Sequence, residues 1–194
     1  MMDTNAIAKL IGGNFDAVAT DGATALKELR LPPGATILDV GTGKGNCAIF
    51  LASHGYQVLT GEPSHDESGY AGQPWAVAAE KVGVRGRIRF EHFEASRMPF
   101  PAAAFDAVFF FGVLHHIDES VRKDVLLEAF RVAKKDGAVV FFEPRQAMLE
   151  RVWVDDPHHP LAANPSAYLS NQTVREQRIE GAFMDIFIYK KAAT

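Results

Sequence analysis

The sequence predicts a three-layer α/β sandwich built on a seven-stranded, mostly parallel sheet. Three observations predict it. Short, continuously apolar runs alternate with segments of helical period, the pattern of parallel strands buried on both faces. One of those runs passes through a glycine-rich turn directly into a helix start. The chain then closes on two strand-like segments joined by a turn. With 194 residues, 47% hydrophobic and 23% charged, it has the composition of an ordinary globular protein and is large enough to bury one core. No repeat, low-complexity tract or linker divides it, so residues 1–194 read as a single domain.

Taken in order, residues 14–30 look helical and are ended by Pro32-Pro33-Gly34, which makes residues 1–30 an N-terminal helical cap. Buried strands are expected at 36–40, 57–60, 87–93, 105–111 and 138–142. Helices are expected at 44–54, at 75–82 behind Pro74, and at 119–133, where Val121, Val125, Leu126, Phe130 and Val132 recur at helical spacing. Strand–helix alternation implies right-handed crossovers. Pro157, Pro160 and Pro165 break up the chain after Val154, and residues 143–172 read as a substrate or lid region. Residues 173–179 and 183–190 form an expected hairpin about Glu180-Gly181, with the last strand antiparallel.

Composition bounds the function. The formal net charge is −4, and the mild acidity argues against a nucleic-acid partner. The densest basic stretch, Arg85-Gly86-Arg87-Ile88-Arg89, reads as a solvated strand entrance. Cys47 is the single cysteine. It excludes an intrachain disulfide framework and multi-thiol mechanisms, and it reads as a packing residue. No apolar run approaches a membrane span, and the N-terminus lacks the features of a secretory signal, so the expected setting is cytoplasmic with no membrane partner. Asp155-Asp156-Pro157-His158-His159-Pro160 offers metal-ligand types. Adjacent histidines in a proline-bound loop rarely both face one ion, so the stretch reads as a solvated or lid loop and no metal is expected.

The chemistry-bearing segment is Asp39-Val40-Gly41-Thr42-Gly43-Lys44-Gly45. Alternate glycines let the backbone turn sharply and keep side chains away from a ligand. Free N–H groups at the next helix end face outward, at the place in a doubly wound sheet where ligands bind. The third glycine, Gly45, comes one position early for the dinucleotide fingerprint, and Asn46 stands where that fingerprint wants glycine. Asp39 would repel a pyrophosphate and suits a cationic ligand better.

With these residues in place, the chain resembles the class I (Rossmann-like) S-adenosylmethionine-dependent methyltransferases, in particular their small-molecule group, over roughly residues 31–142. The resemblance implies S-adenosyl-L-methionine as cofactor. Asp39, Gly41, Thr42, Gly43 and Gly45 match the family's first motif. Glu62 matches the acid that grips both ribose hydroxyls, with Pro63 beside it. Glu94 and Ala95 match the pair that meets adenine, although the family usually has Asp at the first position. Phe111 and Gly112 would lie near the methionine end, and Lys134-Lys135-Asp136-Gly137 resembles the turn before the fifth strand. The loop from Pro63 to Gln73 is longer than the family norm, and the region after Phe142 is unlike a typical family ending.

Methyl transfer requires alignment of the nucleophile and exclusion of water, and a base only if the acceptor is protonated. Candidates are His115 and His116, after the fourth strand, and Glu143, after the fifth. Arg145 reads as a helix-start charge, and Phe15, Tyr70 and Trp75 as residues that line or cover the site. The expected activity is methyl transfer to a small-molecule acceptor, with the oligomeric state open and a homodimer one option. The rivals are an S-adenosylmethionine- or S-adenosylhomocysteine-binding protein without catalysis, a nicotinamide-dependent oxidoreductase and a macromolecular methyltransferase.

Overall fold

The strands and helices follow from the apolar pattern almost element by element. The computed structural model describes residues 3–66, 69–169 and 173–192. Residues 1–2 of the helical cap and 170–172 of the lid region lie outside them. In chain order the elements are α1 (Thr4–Ile11), α2 (Phe15–Leu29), β1 (Thr36–Val40), α3 (Asn46–Ser53), β2 (Gln57–Glu62), α4 (Trp75–Val82), β3 (Ile88–His92), β4 (Phe105–Phe111), α5 (Glu119–Val132), β5 (Ala133–Pro144), α6 (Gln146–Val152), β6 (Val174–Glu180) and β7 (Met184–Lys191).

The seven strands form one sheet in the order β3-β2-β1-β4-β5-β7-β6. β1 to β5 are mutually parallel. β7 runs antiparallel between β5 and β6, so the expected hairpin is present with its first strand at the sheet edge.

Side chains alternate across each central strand and divide the core in two. Phe109 and Phe142 join Phe15, Ile49 and Phe50 on the face covered by α1 to α4 and α6. Phe110 and Phe141, their rings 4.4 Å apart, join Leu126, Phe130 and Tyr189 on the α5 face. Both faces are therefore covered, as a parallel sheet requires.

Three features depart from the expectation. α1 is a separate short helix ahead of the expected one at 14–30, and it is anchored by Ile7, which is fully buried. α6 follows Arg145, which occupies its N-cap position. The expected turn at Lys134–Gly137 is absorbed into β5 as an irregularity, since Phe105 pairs with Ala133 and Ala107 with Ala138. The Lys134 ammonium holds that bulge to Asp106 at 2.8 Å.

A buried acid in α2 ties the helical cap to the far hairpin. The Asp21 carboxylate is fully buried and accepts from the backbone N–H groups of Ala182 (2.7 Å), Phe183 (2.9 Å) and Met184 (2.7 Å). Three donors on one carboxylate satisfy a turn that no regular ladder could. Asp21→Ala strands those N–H groups and is expected to cost about 3 kcal/mol or more. Urea unfolding would show this as a lower midpoint with an unchanged slope.

Candidate active site

The carboxyl ends of β1, β2, β4 and β5 open onto a cleft of about 800 Å³, at the point where strand order reverses between β1 and β4. Its floor is the glycine loop. Gly41 has φ 85°, its N–H donates to Gly61 O at 2.8 Å, and a Cβ there would lie 2.6 Å from Val113 Cγ2. Gly45, at φ 78°, caps α3, and its Cβ position lies 2.7 Å from Trp75 Cβ. The early third glycine is thus where α4 closes on the loop, and Gly45 does not line the cleft.

Asp39 holds this loop from below. It is 1% exposed. Its Oδ2 accepts from Thr60 Oγ1 at 2.8 Å, and Thr60 Oγ1 lies 2.9 Å from Thr42 Oγ1. Its Oδ1 has no partner in good hydrogen-bond geometry, although the Cys47 thiol and the Ala48 N–H face the carboxylate and ease its charge. Burial pushes the Asp39 carboxyl up to about 6, with the nearby Glu62 charge adding to the rise. The sequence reading placed this acid against the ligand; the structure places it beneath the loop, off the cleft wall.

Glu62 ends β2 at 6% exposure. Its Oε2 accepts from Gly43 N–H at 3.0 Å and its Oε1 from Gly72 N–H at 2.7 Å. The long loop after β2 therefore folds back and donates to the carboxylate expected to grip a ribose. Pro63 lines the cleft, as do Glu94 and Ala95 after β3, and Phe111 and Gly112 after β4. Among the residues expected to cover the site, Tyr70 lines it, whereas Phe15 and Trp75 do not. Phe15 is in the core, and Trp75 stacks on Phe90 beneath the Arg85 guanidinium. Arg145 is spent on Gly181 O, with Glu180 and Asp185 nearby, so it offers no anion site.

The opposite end is a histidine wall. His115 (4% exposed) and Glu143 (1% exposed) are buried together, with His115 Nδ1 2.8 Å from Glu143 Oε2. That same oxygen accepts from Ala163 N–H at 2.8 Å, while Oε1 has no hydrogen-bond partner among the described residues. Glu143 lies behind His115 rather than on the cleft wall. His116 and His159 complete the wall, with ring centroids 4.3 to 5.0 Å apart within the trio. Loss of water around its ring, and its two histidine neighbours, hold His116 well below the usual histidine range. Burial, then His115, lower His159 as well. An uncharged imidazole can accept a proton or bind a metal ion.

The three candidates His115, His116 and Glu143 are thus brought together. His159, expected in a solvated or lid loop, joins them because Trp153 Nε1 donates to its carbonyl at 2.9 Å. Its residue type was the available signal; its position was not readable.

The Asp39 shift carries a pH dependence. A folded-state pKa raised from 3.8 to about 6 means the folded state binds more protons between those values. Its contribution is therefore lost as pH rises across that window, by about 3 kcal/mol in all. The stability difference between wild type and Asp39→Asn, measured by urea unfolding at pH 4 to 7, should fall over this range and level off above it.

A family profile described as "Methyltransferase domain" matches residues 38–141. The 27-O-demethylrifamycin SV methyltransferase of Amycolatopsis mediterranei is 32% identical over 109 residues, covering 56% of this chain and 38% of that protein. A ubiquinone/menaquinone biosynthesis C-methyltransferase of Geobacter sulfurreducens is 30% identical over 141 residues, covering 66% of this chain and 50% of its own length. The chain thus spans half or less of the length of these two relatives. In fold it resembles a SAM-dependent methyltransferase from Aquifex aeolicus, with TM-score 0.63 and 21% identity over 97% of this chain and 98% of that one. No helix among the described residues is long and apolar enough to cross a membrane. On the match from the first strand through the fifth, the chain belongs to the methyltransferase domain family.

Proposed function

We propose that the protein transfers a methyl group from S-adenosylmethionine to a small organic acceptor. The observation that carries this reading is one continuous cleft that joins the glycine loop and Glu62 to the histidine wall. The residues present fit the cofactor. Gly41 and Gly43 leave the backbone bare. Glu62 is a buried carboxylate already accepting two donors, and vicinal hydroxyls can take the place of the Gly72 N–H at such an acceptor. The buried charge of Asp39 below the loop favours a cation without touching it.

When bound, S-adenosylmethionine supplies a methyl group already activated on a sulfonium sulfur. The protein's own residues do the rest. Glu62 and the glycine loop fix orientation, Glu94 and Ala95 bound the adenine end, and Tyr70 and His159 help keep water from the acceptor end. Apolar side chains of Val113, Ile117, Val121 and Met148 on the cleft wall favour an organic acceptor. The names of the relatives, which specify a rifamycin and quinone biosynthesis, point the same way. We place the activity in the cytoplasm, where the thiol of Cys47 stays reduced.

Calorimetry against S-adenosylmethionine, S-adenosylhomocysteine and NAD tests the cofactor. Binding of the first two with no response to NAD is expected; the reverse result would overturn the reading. Glu62→Ala should weaken S-adenosylmethionine at least tenfold, the loss of about 1.4 kcal/mol or more that charge-assisted bonds to hydroxyls provide. Unchanged affinity in that variant would remove Glu62 from the ribose site. A screen of hydroxylated and quinone acceptors for methyl uptake then separates transfer from binding alone.

A further inference from the structure

We propose that His115, His116 and His159 bind a divalent transition-metal ion of the zinc class at the acceptor end of the cleft. One ligand atom from each histidine lies within 4.8 Å of the other two. Tetrahedral zinc, with bonds to histidine of about 2.0–2.1 Å, sets its ligand nitrogens about 3.4 Å apart. Loading therefore needs a contraction of about 1.4 Å at most, within reach of side-chain rotation at the exposed His116.

The hydrogen bonds behind the rings aim the lone pairs. The Glu143 carboxylate occupies His115 Nδ1 at 2.8 Å, so that nitrogen carries the proton and Nε2 is left bare. The Pro160 carbonyl does the same for His159 Nδ1 at 3.0 Å. A carboxylate or carbonyl on the far ring nitrogen is the outer-shell arrangement that metal-binding histidines use. No hydrogen bond joins the three rings to one another among the described residues, so no proton is shared between them. Behind them Glu143 keeps a buried oxygen, Oε1, without a hydrogen-bond partner among the described residues. A buried carboxylate in that state is costly, and a dication one ring away offsets it.

Three imidazoles leave the fourth position of a tetrahedral ion open toward the cleft, where the polarised ligand would be an oxygen of the acceptor, such as a hydroxyl or a quinone carbonyl. This last assignment rests on the methyl-transfer reading; binding of the ion itself does not.

The test uses the full chain, stripped with chelator and titrated with Zn²⁺ by calorimetry and with Co²⁺ by visible absorption, in the absence of S-adenosylmethionine. One ion per chain is expected, with tetrahedral Co²⁺ bands. His116→Ala and His159→Ala should each weaken binding at least tenfold, and Glu143→Gln 10–100-fold. His158→Ala, next to the wall but outside it, should bind as wild type. His116 is exposed, so its variant should keep the wild-type fold, checked by thermal melting. Absence of stoichiometric binding, survival of binding in His116→Ala, or equal loss in His158→Ala would overturn the proposal. Each of those results can coexist with normal S-adenosylmethionine binding, so failure here is distinct from failure of the cofactor reading.

Discussion

A carboxylate buried at the end of a parallel strand must find donors, and in this protein the loops supply them. Asp39, Glu62 and Glu143 lie at or one residue before the ends of β1, β2 and β5, with at most 6% of their surface exposed. Each reaches across to a different connection. Asp39 holds Thr60 and through it Thr42. Glu62 holds the backbones of Gly43 and Gly72. Glu143 holds His115 and the backbone of Ala163. Burial makes every one of these bonds matter, because a donor lost there is not replaced by water. The cleft is in effect the space these three acids leave between the loops they fasten.

This arrangement explains which features were legible in the sequence. The central strands are short apolar runs whose burial on both faces leaves no alternation to misread, and β1, β2 and β4 fall within a few residues of expectation. The glycine loop is legible because backbone conformation and close approach restrict residue type locally: Gly41 against Val113 and Gly45 against Trp75 admit no side chain. Pro74 placed the start of α4 for a similarly local reason.

What was not legible depends on meetings between distant segments. His159 faces His115 because the Ala163 backbone bonds to Glu143 and the Trp153 indole holds the His159 carbonyl. No local pattern encodes those contacts. Asp39 is expected from the sequence to face the ligand, yet its side chain lies beneath the loop, since sequence spacing does not say on which side of a turn a side chain falls. Asp21 was not singled out at all: an acid within a helix looks like a solvated charge until the hairpin more than 160 residues away is seen to donate to it.

The two ends of the cleft also share one loop. The loop that donates Gly72 to Glu62 also carries Tyr70, which packs on His116 with centroids 4.8 Å apart and donates to Asp156 at 2.7 Å. Tyr70 and Asp156 meet at the surface, where water competes for the bond. Because that loop also packs on the histidine wall, the two ends of the cleft share one connection, with ten residues from Glu62 to Gly72.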